Sequence, residues 1–310
     1  MTWQEQLAAI MLDHTTGATG LALATAEALS AFLDEDTSTS LQALTGLLQT
    51  IAQQILTAQS GMASLVTLFN QTFFALDSAS TLEETRQQLR AQLKLFRENL
   101  AKSQQSCSRL AAALIAPDTA VMTHSASSTV TEALLRATKQ GCALRAIVTE
   151  SRPLYEGRQL SERLNAAGIE VTVTIDAAAY ANLITAGIVL LGADSLTLTG
   201  VVSKIGSAGI AVCARTLGVP CYFLADLARV WPAALGEQPI HERAASEVWP
   251  EVPGGVRVQN RYFDLTPWSA VCGVVTEEGV LTPEQVQHLC LEREVHPLLQ
   301  SAMAVVRSSL

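Results

Sequence analysis

The chain has 310 residues, of which 49% are hydrophobic and 16% are charged, and its formal net charge is −9. This length exceeds what one hydrophobic core usually supports, so we expect two domains. The negative charge disfavours broad nucleic-acid binding, and no uncharged apolar run reaches the roughly 20 residues that a membrane span needs. The N-terminal segment also lacks the basic and apolar regions of a signal peptide, which predicts a cytoplasmic protein.

Six cysteines and five histidines are scattered along the chain without C-x-x-C spacing. This pattern disfavours a zinc site and predicts buried free thiols. We therefore expect neither a metal nor a cofactor.

Residues 1–115 show helical periodicity and almost no strand signal, which predicts a helical domain. Helix breaks are expected at residues 13–20 and 34–40, where glycine, hydroxyl and acidic residues cluster. Thr81 and Glu84 match a capping box for the longest helix, whose apolar residues follow a heptad pattern. The heptad favours a helix packed within the chain's own bundle over an independent coiled coil, and the helix should end near Pro117.

From Ala120 onward the pattern changes to short β-branched runs that alternate with helices. Strands are predicted at residues 120–123, 144–149, 170–175, 187–191, 221–225 and 270–275. This alternation indicates a parallel sheet that is covered on both faces, with ligands bound beyond the carboxyl ends of the strands. No glycine-rich dinucleotide fingerprint or P-loop follows any strand.

Residues 121–131 lead from a strand into a helix that Ser127 or Ser128 can cap. Such a helix start presents free backbone N–H groups and the positive end of a dipole, which suits phosphate. An ordinary N-cap without a ligand is the alternative. His124, Ser125 and Asp194 are further candidates, because each follows a predicted strand.

Five segments of the chain carry the motifs of a known family. They are Thr123-His-Ser-Ala-Ser-Ser-Thr-Val130, Thr149-Glu-Ser-Arg-Pro-Leu-Tyr-Glu-Gly-Arg158, Gly192-Ala-Asp194, Ser203-Lys-Ile-Gly206 and Phe263-Asp-Leu-Thr-Pro267. In order and spacing they resemble the superfamily that joins the alpha, beta and delta subunits of eukaryotic initiation factor 2B with methylthioribose-1-phosphate isomerase and ribose-1,5-bisphosphate isomerase. The resemblance implies an α + α/β fold, in which an N-terminal helical domain (1–115) is followed by a Rossmann-like parallel-sheet domain (116–310), and a homodimer.

The isomerases that the chain resembles use a cysteine after Thr-His and the aspartate of Gly-Ala-Asp as an acid/base pair. Asp194 aligns with the aspartate, whereas Ser125 stands at the cysteine position. An unactivated hydroxyl does not carry protons near neutrality as a thiol does, so Ser125 is expected to donate a hydrogen bond to a ligand. Asp194 as a structural cap is the alternative to a catalytic role.

Three further positions depart from the pattern of these isomerases. Thr16, Gly17 and Ala18 replace an Arg-Gly-Ala motif that grips phosphate, Ser203 replaces an asparagine, and Glu156 replaces a glutamine of the thioribose isomerases. Loss of the guanidinium removes a charge-assisted contact worth on the order of 2 kcal/mol.

An anion pocket is still expected from Arg152, Arg158, Lys204 and the start of the helix at Ser207. A surface salt bridge is the alternative for Arg158. Asp176, which follows the third strand, is equally suited to capping a helix and to contacting a ligand.

The C-terminal region is predicted to contain a turn at residues 277–279 and a helix with Thr282 as N-cap and Pro283 in its first turn. Residues 297–310 form an apolar tail that either seals a dimer or folds back on the sheet.

Two functions fit these observations. The first is a binder of a phosphorylated sugar or nucleotide without full isomerase machinery, because the catalytic cysteine is absent. The second is an aldose–ketose isomerase of a pentose phosphate, such as ribose 1,5-bisphosphate or methylthioribose 1-phosphate, because Asp194 is retained.

Overall fold

The computed structural model describes residues 1–13, 15–60, 62–78 and 80–308, so that His14, Ser309 and Leu310 of the predicted segments lie outside it. A helical N-terminal region is followed by a mostly parallel sheet flanked by helices, as predicted. Over the described residues, no helix has both the length and the apolar character of a membrane span.

The helices follow the predicted order. Their bounds are α1 (Trp3–Leu12), α2 (Ala18–Glu35), α3 (Leu41–Ala58), α4 (Ala63–Leu76), α5 (Leu82–Ala112), α6 (Ser128–Lys139), α7 (Glu156–Ala166), α8 (Ala179–Leu183), α9 (Ser207–Leu217), α10 (Pro283–Glu292) and α11 (Pro297–Ser308).

The strands near 120, 144, 170, 187, 221 and 270 all lie close to their predicted positions. The bounds are β1 (Thr119–Thr123), β2 (Leu144–Thr149), β3 (Glu170–Thr174), β4 (Ile188–Gly192), β5 (Ser195–Leu196), β6 (Gly200–Lys204), β7 (Cys221–Leu224), β8 (Phe263–Pro267), β9 (Gly273–Thr276) and β10 (Gly279–Leu281).

The helical region is built around α4, which is buried on nearly all sides. Leu65, Phe69 and Phe73 of this helix have no exposed surface. Helices α2, α3, α5 and α11 contact it, and α1 packs on α2 and α3 within the same continuous core. A helix that is buried on nearly all sides forms the centre of a packed core.

The long helix α5 connects the helical core to the sheet. Its first half contributes Leu89, Leu93, Phe96 and Leu100 to the helical core, and its last turn packs on the sheet beside α6. The predicted capping box at Thr81 is present. The heptad therefore reflects packing within the chain, as expected.

The seven-stranded sheet has the order β10-β9-β7-β4-β1-β2-β3, and its strands are parallel except for β10. From β1 the chain winds to β2 and β3 on one side and then crosses to β4 on the other. Strands β1 and β4 are therefore the topological switch point, where a crevice forms beyond the carboxyl ends. Ser125 and Asp194 follow these two strands directly.

A small antiparallel sheet, β5-β6-β8, lies outside the main sheet and was not predicted. Its strands are short, and β5 has only two residues. Such a strand carries too few residues for a period-2 pattern. It matters because β6 carries Ser203 and Lys204.

Helix α9 begins at Ser207 as predicted, but its start is not free for the anion that was expected there. Gly206, with φ 104°, is the N-cap of α9, and its N–H donates to the Asp264 carboxylate of β8 (2.7 Å), which therefore occupies the helix start in place of an anion. Burial raises the pKa of Asp264 to about 6, and the backbone donors oppose this shift. Ser207 is the first helical residue; its hydroxyl donates to Ser203 Oγ.

The described part of the apolar C-terminal tail packs on the helical core, a location that neither predicted alternative named. It forms α11, which buries Leu299, Met303 and Val306 in the helical core beside α3 and α4. The division at residue 115 remains a prediction, since the chain returns to the helical core after the sheet.

Half of the cysteines are buried as expected, whereas Cys272 is exposed.

Helix α7 begins in close contact with the end of β2, and Gly157 makes this approach feasible. A Cβ at Gly157 would lie 1.8 Å from the carbonyl oxygen of Thr149. Glu156, the residue before it, is thereby held at the carboxyl edge of the sheet.

We predict that Gly157→Ala lowers the free energy of unfolding by about 3 kcal/mol, because the added methyl group forces α7 away from β2. Urea unfolding measures this change. Gly46→Ala is the matched control: Gly46 lies exposed within α3 with open space around it, so alanine should stabilise the protein by about 0.5 to 1 kcal/mol. Equal stability of Gly157→Ala and the parent would contradict the proposed contact.

Candidate functional site

A cavity of about 250 Å³ lies between the helical region and the carboxyl ends of β1 and β4. Most predicted site residues line it. They are Thr16, Gly17, Ala18, His124, Ser125, Ser127, Ser128, Glu156, Asp194, Ser203 and Lys204. The lining also includes Thr19, Met62, Arg229 and Tyr262.

Arg152 and Arg158 do not belong to the described lining of this cavity. Arg158 donates to Glu150 (2.7 Å) and stacks on Tyr155, with 58% of its side chain exposed. Arg152 is exposed and donates to the carbonyl of Val248. The surface salt bridge raised as the alternative for Arg158 is therefore present, because the turn after β2 directs both cations away from the switch point.

Two helix N-termini face the cavity. Helix α2 begins after Gly17, which has no side chain to satisfy the first backbone N–H groups. Helix α6 begins after Ser127, whose hydroxyl accepts from Val130 N (3.3 Å). The remaining N–H groups and both dipoles make this region attractive to an anion.

Asp194 lies two residues beyond β4, and its N–H donates to Val202 O of β6 (2.9 Å). Burial raises the pKa of its carboxyl to about 6, while Arg229 and Lys204 oppose the shift and Glu156 adds to it. A carboxyl group with a pKa near neutrality can both take and return a proton.

Arg229 is a buried cation of the cavity that sequence reasoning missed. It is 6% exposed, donates to Asp226 Oδ2 (3.1 Å), and also donates to the Ala193 carbonyl and the Thr19 hydroxyl. Arg229 belongs to none of the recognised motifs. It follows β7, and it reaches the cavity only because the folded chain brings this segment there. Its contact with Thr19 places the charge at the start of α2.

Lys204 is 5% exposed, and its ammonium donates to Glu156 Oε1 (2.7 Å). The ammonium also lies 5.3 Å from the centre of the Tyr262 ring. Glu156 therefore neutralises Lys204 inside the cavity.

His124 lines the cavity but uses both ring nitrogens within the protein. Nε2 lies 2.7 Å from the Ile205 carbonyl, and Nδ1 contacts the Thr149 hydroxyl. Burial lowers the pKa of His124, so the neutral ring donates from Nε2 and accepts at Nδ1. His124 thus positions the ends of β1, β2 and β6 and does not serve Ser125 as a base.

Ser125 adopts a left-handed backbone conformation with φ 62°, which is strained for a residue with a side chain. Its N–H donates to Ser151 Oγ (2.7 Å), and the Ser151 N–H donates to Asp176 Oδ1 (2.7 Å). Asp176 thus holds the loop after β2, which is neither of the two roles predicted for it. This network presents the Ser125 hydroxyl at the cavity wall.

Ser203 joins the two sheets, because its hydroxyl donates to the Gly192 carbonyl at the end of β4 (2.6 Å). A side chain at Gly192 would collide with Ser127, since a Cβ there would lie 2.6 Å from Ser127 Cβ. The ends of β4, β6 and α6 are therefore in direct contact.

Among the described residues, no group of three or more histidine, cysteine, aspartate or glutamate side chains is arranged to hold a metal ion. The side chains of the described lining supply carboxylates, hydroxyls, the imidazole of His124, the ammonium of Lys204 and the guanidinium of Arg229.

A profile of the Initiation factor 2 subunit family matches residues 14–283. The chain belongs to this family. It is 30% identical over 307 residues to ribose 1,5-bisphosphate isomerase of Haloterrigena turkmenica, with 94% of this chain and 93% of that protein covered. It is 35% identical over 198 residues to 5-deoxyribose 1-phosphate isomerase of Moorella thermoacetica, covering 57% of this chain and 56% of that one.

The translation initiation factor eIF-2B of Pyrococcus horikoshii has a similar crystal structure, with a TM-score of 0.79 and 28% identity. The match covers 91% of this chain and 97% of that chain. The fold and the family resemblance predicted from the motifs are confirmed.

The raised pKa of Asp194 predicts a gain in stability when its charge is removed. The folded state holds this proton more tightly than the unfolded state, so the contribution of the group to stability is lost as pH rises from about 4 through about 6. We expect Asp194→Asn to be about 2 kcal/mol more stable than the parent at pH 7.5 and similar at pH 4. Urea unfolding at both pH values measures the difference.

Glu162→Gln is the control for this measurement, since Glu162 is exposed on α7. It should leave the pH dependence of stability unchanged. A parent protein more stable than Asp194→Asn at pH 7.5 would show that the carboxylate stabilises the fold.

Proposed function

We propose that this protein is an aldose–ketose isomerase of a phosphorylated pentose. The observation that carries the proposal is Asp194, a carboxyl group with a pKa of about 6 in a cavity that also contains Lys204 and Arg229. Relatives named as isomerases of ribose 1,5-bisphosphate and 5-deoxyribose 1-phosphate support the same substrate class.

The phosphate group is expected at the starts of α2 and α6, near Arg229. Backbone N–H groups supply directed hydrogen bonds there, and the guanidinium supplies charge. The hydroxyls of Thr16, Ser127 and Ser128 add further donors. This arrangement offsets part of the binding energy lost with the missing arginine at position 16.

The isomerisation moves a proton from C2 to C1 of the sugar, and it also breaks the bond between C1 and the ring oxygen, which takes up the proton that the C2 hydroxyl loses as the ketone forms. The proton transfer between the two carbon atoms requires an acid/base group. Asp194 has a suitable pKa, and the cavity partly excludes water around it. Ser125 donates a hydrogen bond to a substrate oxygen, since both ring nitrogens of the neighbouring His124 are engaged within the protein and the hydroxyl keeps its proton near neutrality. One carboxyl group then serves both proton transfers.

A second candidate function is ligand binding without turnover. The serine at position 125 favours it, because a hydroxyl with a high pKa is a poor proton carrier. The two functions differ in a single measurable property, which is the conversion of a bound sugar phosphate.

The homodimer expected from the family resemblance has a candidate surface at the free edge of the sheet. Strand β3 is the edge strand, and Val173 and the following Ile175 are 48% and 59% exposed on the same face. Exposed apolar residues on an edge strand are a natural site for pairing with a second copy.

We predict that the parent protein converts ribose 1-phosphate or ribose 1,5-bisphosphate to the ketose, and that Asp194→Asn lowers kcat at least about 100-fold because the proton carrier is lost. Ser125→Cys should raise the rate. Coupled assays of ketose formation measure both effects.

Lys204→Ala and Arg158→Ala provide a matched pair for the same assays. Lys204 lies in the cavity and Arg158 on the surface, so only the first variant should weaken substrate binding. Binding of a sugar phosphate without conversion, by both the parent and Ser125→Cys, would exclude the isomerase and favour the binder.

We predict a mass close to twice 33 kDa by light scattering at micromolar concentration. Ile175→Lys should shift the mass towards that of one chain, because it places a charge in the paired edge. Leu47→Lys changes an exposed apolar residue on α3 (43% exposed) and should leave the mass unchanged. A parent mass of one chain would refute the dimer.

A further inference from the structure

Glu156 has one carboxylate oxygen that the protein leaves without a donor. Oε1 accepts from Lys204, whereas Oε2 is buried and has no hydrogen-bond partner among the described residues. Leaving a buried charged acceptor unsatisfied costs at least about 1 to 3 kcal/mol, which is a large penalty for one atom. A group that donates to Oε2 from within the cavity would recover this energy.

The position of this carboxylate is tightly constrained. Glu156 is the first residue of α7. The next residue, Gly157, contacts the Thr149 carbonyl, so the start of the helix cannot move closer to β2. Lys204 is itself held by β6 and packed near Tyr262. The carboxylate therefore cannot swing out of the cavity without leaving Lys204 buried and unpaired.

The charges around the cavity are nearly balanced before any ligand binds. Lys204 is neutralised by Glu156 (2.7 Å), and Arg229 is paired with Asp226 (3.1 Å). Two phosphate groups carry close to four negative charges, and the remaining helix N-termini supply only partial positive charges. The helix N-termini offer a place for one phosphate group, whereas Glu156 and Asp194 put carboxyl groups into the rest of the cavity wall, where a second phosphate group is disfavoured.

We propose that Glu156 determines specificity in this site: it accepts a hydrogen bond from a sugar hydroxyl through Oε2 and disfavours sugars that carry a second phosphate group. The inference rests on the proposed function, because it assumes that the cavity binds a sugar phosphate. It selects a pentose monophosphate with a free hydroxyl over a pentose bisphosphate.

Calorimetry in the Asp194→Asn background, which stops turnover, provides the test. Ribose 1-phosphate should bind at least about 10-fold more tightly than ribose 1,5-bisphosphate. Adding Glu156→Gln should shift the ratio of the two dissociation constants about 10- to 100-fold towards the bisphosphate, because it removes a negative charge and releases Lys204. Glu156→Asp keeps the charge, so it should weaken the monophosphate while retaining the bias against the bisphosphate.

Glu150→Gln is the matched control, since Glu150 pairs with the exposed Arg158 outside the cavity lining. It should leave the ratio unchanged. The ratio also separates specificity from general destabilisation, which weakens both ligands alike.

Three results overturn the inference: tighter binding of the bisphosphate by the protein that retains Glu156, an unchanged ratio in Glu156→Gln, or binding of neither sugar. Failure of the proposed function is distinguishable. In that case the protein with Asp194 intact shows no ketose formation, while the preference for the monophosphate and its dependence on Glu156 persist.

Discussion

The buried guanidinium of Arg229 is the interaction on which the site depends. It donates to Thr19 at the start of α2, to the carbonyl of Ala193 beside Asp194, and to Asp226. A charge that is 6% exposed is tolerated only when its donors are satisfied, so these partners must stay together. The helical region is thereby tied to the switch point of the sheet, and the cavity exists because the two meet there.

The same cavity concentrates groups that oppose folding. Burial raises the pKa of Asp194, so that keeping its carboxyl charged costs free energy. Glu156 retains a carboxylate oxygen without a hydrogen-bond donor. Ser125 adds a strained backbone conformation. These costs are local, and they occur where a ligand would contribute compensating contacts. The extensive apolar cores on either side of the cavity contribute the stability that offsets these costs.

The positions of Ser125 and Asp194 could be predicted because strand ends are local features. A β-branched run followed by polar residues marks the end of a buried strand, and parallel strands bring such ends to one edge. Arg152 also follows a predicted strand, yet neither it nor Arg158 belongs to the described lining of the cavity. Their direction depends on the turn after β2 and on pairing with Glu150, which sequence spacing does not reveal.

By itself, the sequence determined the six parallel strands of the main sheet, the capping box at Thr81, the family resemblance and most residues of the cavity wall, since each depends on short-range periodicity or on a contiguous motif. Only the tertiary structure decided that Arg229 supplies the buried guanidinium, that Glu156 neutralises Lys204, that Asp264 occupies the start of α9, and that α11 completes the helical core. Each of these contacts joins residues far apart in the chain. Their partners are chosen by how the sheet, the bundle and the small sheet pack, and no local pattern encodes that packing.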